Sequence, residues 1–307
     1  MNAMERLNEA VKVKGPLLAG LDPDFEKLDK FYQEMGIQKQ YFIGMTYEEY
    51  IMVDFCSRYI EAVKDKVLAI KINVGFFEAV QMEHVLRDVA RMAKEAGLFV
   101  IADAKREDIG NSSKQYAKAF LEVPYFDAVT VGSFIGTDSV KPFLDVAKEN
   151  DKAIFVLVKT SNPSSCEFQD LKLENGKKVY EVVADKVKEW GEYTRSSVEE
   201  EYSLVGAVVG ATHPKEAKEL RERLPNTFFL VPGYGAQGAT AEDIVVNFDD
   251  FCGGAIVNSA RGLMFAFEKG DWKSVNKLED WPNAVKDAAN KSQNELVDAI
   301  LASKVLI

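Results

Sequence analysis

Short apolar runs recur along the chain, and each is followed by a stretch in which apolar residues return every three to four positions. Most of these runs are continuously apolar rather than alternating, as expected of parallel strands that are covered on both faces. The predicted strands lie at 16–21, 67–72, 98–102, 128–131, 153–158, 205–209, 228–231 and 255–257. Helical periodicity between them is clearest at 82–96, 114–122, 214–224 and 241–251.

Eight strand–helix units in succession predict an α/β fold, specifically a (β/α)8 TIM barrel. Such a barrel commonly needs about 250 residues, so we expect residues 1–307 to form a single domain with insertions. A doubly wound open sheet is the weaker alternative.

Two connections between predicted strands are long. Residues 23–50 follow the first strand and residues 161–203 follow the fifth, and we expect an insertion at each place. Because loops on the carboxyl side of barrel strands commonly carry function, the second insertion is expected to form part of the rim or a lid.

The charge balance limits the possible partners. The formal net charge is −11, which argues against nucleic acid because phosphate backbones bind basic surfaces. An anionic small substrate would need a local cationic site. The two histidines, His84 and His213, leave little room for a histidine-based metal site, so we expect no metal and assign His213 no role.

The cysteines and the hydropathy pattern indicate the compartment. Cys56, Cys166 and Cys252 are far apart, odd in number and in no Cys-x-x-Cys pattern, which predicts free thiols in a reducing environment. No apolar run approaches the roughly 20 residues of a membrane span. The first residues lack the apolar core of a signal peptide, so we expect a cytoplasmic protein without a membrane partner.

The third predicted strand ends in a cluster of charged residues. Asp103 and Lys105 are two positions apart, so on a strand their side chains project from the same face. Asp108 follows three residues later, where the strand is expected to have ended. Active sites of TIM barrels lie at the carboxyl ends of the strands, and this cluster is therefore a candidate catalytic site.

The first two predicted strands add charged residues to the same rim. Asp22 ends the first and Lys71 lies near the end of the second, so both are expected beside Asp103 and Lys105. Neighbouring opposite charges favour the ionised forms of all four groups. A ring of ordinary ion pairs would give the same pattern, and barrel lysines also serve as Schiff-base nucleophiles, so the pattern alone does not name the reaction.

The last two predicted strands suggest a phosphate site. The seventh is followed by the glycine-rich segment 233–238, whose backbone amides can approach a ligand closely, and then by a helix that Thr240 and Asp243 can cap. The eighth is followed by Arg261, which is suited to bidentate phosphate contact. A glycine-rich turn beside a surface arginine is the simpler interpretation, but TIM barrels commonly bind phosphate at this position.

Together these segments resemble the orotidine 5′-phosphate decarboxylase family, in particular its longer bacterial form (type 2). The most specific are Asp-x-Lys-x-x-Asp-Ile at 103–109 and Pro-Gly-Tyr-Gly-Ala-Gln-Gly at 232–238. The resemblance implies a carboxy-lyase that converts orotidine 5′-monophosphate to uridine 5′-monophosphate and CO2 without a cofactor. That reaction is the last step of de novo pyrimidine (UMP) biosynthesis. The other resembling segments are 20–24, 71–78, 159–163, 209–212 and 257–262.

The resemblance also implies catalytic roles. Lys71, Asp103, Lys105 and Asp108 match the alternating Lys-Asp-Lys-Asp array of the family. Lys105 would protonate C6 of the pyrimidine as CO2 leaves, and Asp103 would lie beside the substrate carboxylate. Lys71 would hold the array and contact the ribose.

Substrate binding and assembly follow from the same resemblance. Asp108 and Ser112 would reach into the partner's site, which implies a homodimer with shared active sites. Three departures, Ile72, Glu107 and Ser112, remove no group that the chemistry needs. The remaining substrate contacts are expected from Asp22 to the ribose, Ser161 to the pyrimidine, Gln237 to base and phosphate, and Arg261 with the amide of Ala260 to the phosphate.

Three other functions are compatible with parts of the pattern. A metal-dependent sugar-phosphate decarboxylase or synthase of the same barrel superfamily would use strand-end carboxylates to hold magnesium. A Schiff-base aldolase would use Lys71 or Lys105, and a nucleotide-binding barrel without turnover would be expected to lack a member of the array. The complete array favours the metal-free pyrimidine reaction.

Overall fold

The computed structural model describes residues 1–39, 44–270, 273 and 277–304. Within these ranges, eight parallel strands close into a barrel in chain order, and β8 pairs with β1 through Val257 and Leu17. The predicted TIM barrel is confirmed, and the open sheet is excluded. The strands are β1 Leu17–Leu21, β2 Ala69–Asn73, β3 Phe99–Arg106, β4 Ala128–Val131, β5 Ala153–Lys159, β6 Val205–Val209, β7 Phe229–Pro232 and β8 Ala255–Ser259.

Helices surround the barrel and connect its strands, with short 3₁₀ turns at Pro163–Glu167, Val245–Asn247 and Ala266–Glu268. The described helices are α1 Ala3–Lys14, α2 Phe25–Glu34, α3 Tyr47–Val63, α4 Gly75–Glu78, α5 Glu83–Glu95, α6 Gly110–Leu121, α7 Thr137–Asn150, α8 Val179–Thr194, α9 Pro214–Arg223, α10 Ala241–Ile244, α11 Arg261–Met264 and α12 Trp281–Lys304. None of them combines the length and apolar composition needed to cross a bilayer.

The strands are continuously apolar because both of their faces are buried. Outward-facing side chains pack under the helices, whereas inward-facing ones, such as Ile101 and Phe155, form a separate cluster inside the barrel. Met4 and Leu7 of α1 belong to this inner cluster. Asn2, which caps α1, and Asn8 of α1 bond to the loops that precede β6 and β8. In the described part of the chain, α1 therefore covers the amino-terminal end of the barrel.

Several element boundaries differ from the sequence-based expectation, among them the end of β3 and the end of the helix after β7. β3 continues to Arg106 rather than ending at 102, and its pairing with β4 shifts register between Ala102 and Arg106. The helix expected at 241–251 ends at Ile244 and continues only as a 3₁₀ turn. The backbone becomes extended at Phe248 (φ −89°, ψ 148°), and the carbonyl of Asn247 accepts a hydrogen bond from Arg221 Nε at 2.9 Å.

The two long connections contain regular structure. Residues 23–50 include α2 and the beginning of α3, while residues 40–43 of this segment lie outside the described part of the chain. Residues 161–203 include a 3₁₀ turn, an isolated bridge between Lys172 and Lys178, and α8, which packs against β5 and β6. The first part of this second segment lies at the carboxyl end of β5 and borders the candidate site.

Candidate active site

A cavity of about 370 Å³ lies at the carboxyl ends of the strands, above the apolar interior of the barrel. We call it the strand-end cavity. The inward-facing rows of the strands change from apolar to polar as they reach it: Ile101 is followed two positions later by Asp103, and Ala128 by Thr130. Six of the residues predicted from sequence line it, namely Asp22, Lys71, Asp103, Lys105, Ser161 and Gln237.

Asp103 is the centre of the charged group. Its Oδ1 accepts a hydrogen bond from Lys105 Nζ at 2.6 Å and another from Thr130 Oγ1 at 2.9 Å, while its Oδ2 accepts one from Lys71 Nζ. The side chains of Lys71 and Asp103 are almost completely buried, whereas that of Lys105 is 51% exposed. The ammonium of Lys105 is therefore the member of this group that a ligand can reach most directly.

The mutual attraction of these charges offsets the cost of burying them. Burial alone lowers the pKa of Lys71, but the carboxylates of Asp103 and Asp22 outweigh it and leave that pKa above the usual lysine value. Burial alone raises the pKa of Asp103, but Lys71 and Lys105 hold that pKa well below its ordinary range. Lys71 and Asp103 are consequently ionised at neutral pH, and the cavity carries a fixed pair of charges.

A β-bulge places Lys105 in the cavity. Its backbone has φ +46°, a left-handed conformation that residues with long side chains rarely adopt. The amide of Lys105 donates to Thr130 Oγ1 at 3.0 Å, so one hydroxyl fixes both this backbone and the Asp103 carboxylate. Strand alternation predicted that Asp103 and Lys105 share a face, and both side chains line the cavity. The direction in which the Lys105 side chain points is set by the register shift between β3 and β4.

Polar strand residues that the sequence analysis did not single out also line the cavity: Asn73, Thr130 and Asn258. The buried Oδ1 atoms of Asp22 and Asn258 accept no hydrogen bond from any residue in the described ranges. An unsatisfied buried acceptor costs about 1–3 kcal/mol, so these two atoms are suited to hydroxyl or amine donors of a ligand. A polar residue interrupting an apolar run near its carboxyl end was the sequence signal for Thr130 and Asn258.

The glycine-rich loop after β7 forms one wall of the cavity through Gln237. Gly233, Gly235 and Gly238 all have positive φ, a backbone that favours glycine. Their G-x-G-x-x-G spacing is also that of a dinucleotide-binding turn, but the closed barrel lacks the crevice in which an open sheet binds dinucleotides. As predicted, Thr240 caps the next helix, α10, in a reciprocal capping box with Asp243.

Four predicted site residues lie outside the cavity lining. Ala260 and the exposed Arg261 follow β8 at the start of α11, and the Ala260 side chain packs on Gly20 of β1. Asp108 lies between β3 and α6, and Ser112 is exposed on α6. The structure of the single chain therefore does not bring these residues into the group around Asp103.

Comparison with known proteins identifies the family. The family described as "Orotidine 5′-phosphate decarboxylase / HUMPS family" matches residues 42–270, well over half of the chain. The chain belongs to this family. Orotidine 5′-phosphate decarboxylase from Caldicellulosiruptor bescii is 39% identical over 92% of this chain and 99% of its own length. The Rhodopirellula baltica protein of the same name is 36% identical over 96% of this chain and 99% of its own.

Solved structures of the orotidine 5′-phosphate decarboxylase family share the fold. Leishmania donovani OMP decarboxylase superposes with a TM-score of 0.75 at 28% identity, covering 98% of this chain and 100% of its own. The names of these relatives favour decarboxylation of orotidine 5′-phosphate over the metal-dependent sugar-phosphate decarboxylase or synthase. The donor set of the cavity agrees, because both oxygens of Asp103 already bind lysines that a metal ion would have to displace.

Proposed function

We propose that this chain catalyses the cofactor-free decarboxylation of orotidine 5′-monophosphate to uridine 5′-monophosphate, the last step of de novo UMP synthesis. The observation that carries the proposal is the group of Lys71, Asp103 and Lys105 on the wall of the strand-end cavity, in which the first two are buried and Lys105 is accessible. Family membership supports the same conclusion. We further propose that residues 1–307 act as one catalytic domain.

Substrate binding follows from the distribution of polar groups around the cavity. The phosphate would bind to backbone amides of the glycine-rich loop 233–238, to the amide of Ala260 and to the guanidinium of Arg261. The ribose hydroxyls would satisfy the unpaired Oδ1 of Asp22. Ser161 and Gln237, which line the cavity beside the charged group, would contact the pyrimidine.

The chemical step needs a cation at the reacting carbon. When the bond between C6 and its carboxylate breaks, the electron pair stays on C6 and CO2 leaves. The ammonium of Lys105 stabilises that charge as it develops and then donates a proton to C6. Because half of the Lys105 side chain is exposed, solvent can return a proton to its amine after each turnover.

Asp103 and Lys71 prepare Lys105 for this role. Asp103 Oδ1 holds the Lys105 ammonium at 2.6 Å, so the cation is in position before the substrate arrives and needs little reorganisation. Lys71 keeps Asp103 ionised in a buried environment. In our proposal Asp103 also lies beside the substrate carboxylate, which disfavours the bound substrate relative to the transition state.

We also propose a homodimer in which Asp108 and Ser112 complete the site of the partner subunit. Both residues lie outside the cavity of their own chain, and apolar side chains beside them are exposed. Phe134, after β4, is 87% exposed, and Ile109, after β3, is 57% exposed. The segments after β3 and β4 are joined by a hydrogen bond from the Ile135 amide to Glu107 Oε1 at 2.9 Å. Exposed apolar patches of this kind commonly mark interfaces.

The cytoplasm is our proposed compartment. Cys56, Cys166 and Cys252 are free thiols, with Cys166 on the surface, and such thiols persist best in a reducing environment. The net charge of −11 supports a small-molecule substrate rather than nucleic acid.

The direct test is incubation of the purified protein with orotidine 5′-monophosphate, following CO2 release with and without a chelator. Equal release in both samples is the expected result. Release that depends on added magnesium, or turnover of sugar phosphates in place of the nucleotide, would contradict the proposal and favour the metal-dependent alternative.

A further inference from the structure

Lys159 is a completely buried lysine that the decarboxylation chemistry does not use. It is the last residue of β5, where the inward-facing row runs through Phe155 and Leu157. Continued alternation would aim Lys159 into the strand-end cavity. Instead, the pairing of β5 with β6 shifts register between Leu157 and Lys159, and Lys159 is absent from the cavity lining.

The Lys159 ammonium binds to the loop that follows its own strand. Its Nζ donates to Asp170 Oδ2 at 2.9 Å and to Ser165 Oγ at 3.4 Å, and it lies 5.6 Å from the centroid of the Tyr180 ring. A buried ammonium is costly unless it is paired, so this contact restrains residue 170 strongly. We call the pair Lys159–Asp170 the clasp, and residues 160–178 the β5–α8 loop.

The clasp folds the loop back onto its own beginning. Gln169, next to Asp170, accepts the amide of Thr160 on its Oε1 at 3.0 Å and donates from its Nε2 to Thr160 Oγ1 at 2.8 Å. Thr160, Ser161 and Asn162 are the residues of this loop that line the cavity. The far part of the loop therefore supports the part that faces a ligand.

The other side of this cavity wall is set by the segment after β6. Thr212 Oγ1 donates to the carbonyl of Ser161 at 3.1 Å. Gly210 packs so closely that a Cβ there would come within 2.8 Å of the Ser161 backbone. Ser161 is thus held between the segment after β6 and the β5–α8 loop. Loss of the clasp would weaken the restraint from the β5–α8 loop and leave the contacts with Gly210 and Thr212 in place.

We propose that Lys159 and Asp170 are positioning residues that hold 160–162 against the base of the bound nucleotide. This inference rests on the proposed function, because it takes the base to lie at Ser161. The hydrogen bonds of the clasp lie within the β5–α8 loop, and this loop approaches the glycine-rich loop through Ser161, which lies beside Gly233. We therefore expect the clasp to act on recognition of the base rather than of the phosphate.

The test uses Lys159→Met and Asp170→Asn, with Lys177→Met as the matched control. Lys177 forms an exposed ion pair with Asp185 at 2.7 Å on the same segment and faces no part of the cavity. Inhibition constants of uridine 5′-monophosphate and of ribose 5-phosphate are measured for each variant in the decarboxylation assay. In addition, hydrogen exchange of residues 160–162 is measured for each variant.

The clasp variants should lose about tenfold in affinity for uridine 5′-monophosphate, equivalent to ~1.4 kcal/mol, while ribose 5-phosphate inhibition stays unchanged. Exchange at 160–162 should accelerate in both variants and not in Lys177→Met. The double variant should be no worse than Asp170→Asn alone, because Asp170 is the carboxylate partner of Lys159 and also lies 3.6 Å from Lys178 Nζ. Asp170→Glu, which keeps the carboxylate, should restore part of the affinity.

Two results would overturn the inference. Equal loss of affinity for both inhibitors would show that the clasp only stabilises the fold, and unchanged affinity and exchange would show that it positions nothing. Wild-type protein that releases no CO2 would contradict the proposed function instead, and the exchange measurement would still decide whether the clasp orders residues 160–162.

Discussion

At the scale of single residues, Lys105 differs from its neighbours in combining full charge with access to the cavity. Lys71 and Asp103 are nearly inaccessible, and Lys105 is half exposed. This difference in exposure supports the mechanism that we propose, in which Lys105 donates the proton and the other two residues orient it. Replacing Lys105 therefore removes chemistry without opening a buried space, whereas replacing Lys71 or Asp103 disturbs a buried ion pair.

We expect Lys105→Ala to abolish most turnover while uridine 5′-monophosphate still binds. General-acid catalysis contributes about 10²–10⁴-fold, and loss of the cation adds to that effect. Single-turnover CO2 release and calorimetric binding of the product measure the two properties separately. Lys177→Ala, which removes an exposed lysine far from the cavity, is the control; near-normal turnover by Lys105→Ala would refute the proton-donor role.

The acid stability of the protein should depend on Asp103. Its pKa is depressed in the folded state, so its contribution to stability is complete above the unfolded-state pKa, about 3.9. The contribution is lost as the pH falls through the folded-state value. The difference in unfolding free energy between wild type and Asp103→Asn should be constant from pH 7 to about 5 and then shrink below about 4. Denaturant titrations across this range measure it, and a difference independent of pH would contradict the assignment.

Asn258→Ala should affect affinity and stability in opposite directions. The buried Oδ1 of Asn258 is unsatisfied in the described structure, so its removal should leave the free protein as stable or slightly more stable. If that oxygen accepts a ligand hydroxyl, affinity for uridine 5′-monophosphate should fall about tenfold. Asn247→Ala is the matched control: its Oδ1 is likewise buried without a partner, but its Nδ2 donates to the carbonyl of Ile244 at 3.0 Å and the residue lies outside the cavity lining, so its loss should spare binding. Unchanged nucleotide affinity in Asn258→Ala would exclude the contact.

At the scale of elements, the site depends on irregularities at strand ends. The register shift in β3 aims Lys105 into the cavity, and a similar shift in β5 turns Lys159 away from it. Thr130 of β4 fixes the first of these through two hydrogen bonds. A single β4 side chain thereby controls the geometry of a β3 bulge.

Thr130→Val should lower kcat about 10–100-fold and also lower the melting temperature, because the Lys105 amide and the Asp103 carboxylate each lose a hydrogen bond. Valine has nearly the same shape, but it lacks the hydroxyl that holds the Lys105 backbone and the Asp103 carboxylate, and small displacements of catalytic groups are costly. Thr194→Val removes a buried hydroxyl in α8, which donates to the Gly191 carbonyl at 2.9 Å, and should leave kcat unchanged. Equal kcat in both variants would show that the bulge holds without Thr130.

The positions of the strands could be predicted because buried parallel strands are continuously apolar. The end of β3 could not, because its last residues are charged and the pattern that marks a strand stops at 102. The early end of the helix after β7 could not be predicted either, because the chain beyond it bonds to Arg221, a residue distant in sequence. In the site, the charges at the strand ends predicted that Asp22, Lys71, Asp103 and Lys105 lie together, and these four residues line one cavity. The clasp could not be predicted from the sequence, because Lys159 and Asp170 meet only when the β5–α8 loop folds back onto its own beginning.

At the scale of the whole molecule, the single chain holds the charged group but leaves Asp108 outside the cavity. Subunit mixing tests whether that residue serves the partner. Lys105→Ala and Asp108→Asn homodimers should each be almost inactive, and mixed dimers should regain activity, because one of their two sites has both residues intact.

Mixing Lys105→Ala with Asp103→Asn provides the control, since both residues belong to the cavity of one chain and no mixed site is intact. Activity measured after the subunits have exchanged distinguishes the cases. If Lys105→Ala and Asp108→Asn regain nothing on mixing although mixed dimers form, Asp108 acts within its own chain or not at all.

Helix α1, which covers the amino-terminal end of the barrel, also affects how nucleotides enter and leave the strand-end cavity. Met4 and Leu7 fill the amino-terminal end of the barrel interior, so among the described residues the route to the strand-end cavity lies at the strand ends, and reactant and products share it. A bound product nucleotide therefore prevents the next substrate molecule from binding. We expect uridine 5′-monophosphate to inhibit competitively with respect to the substrate, which initial-rate measurements at several concentrations of both nucleotides can check.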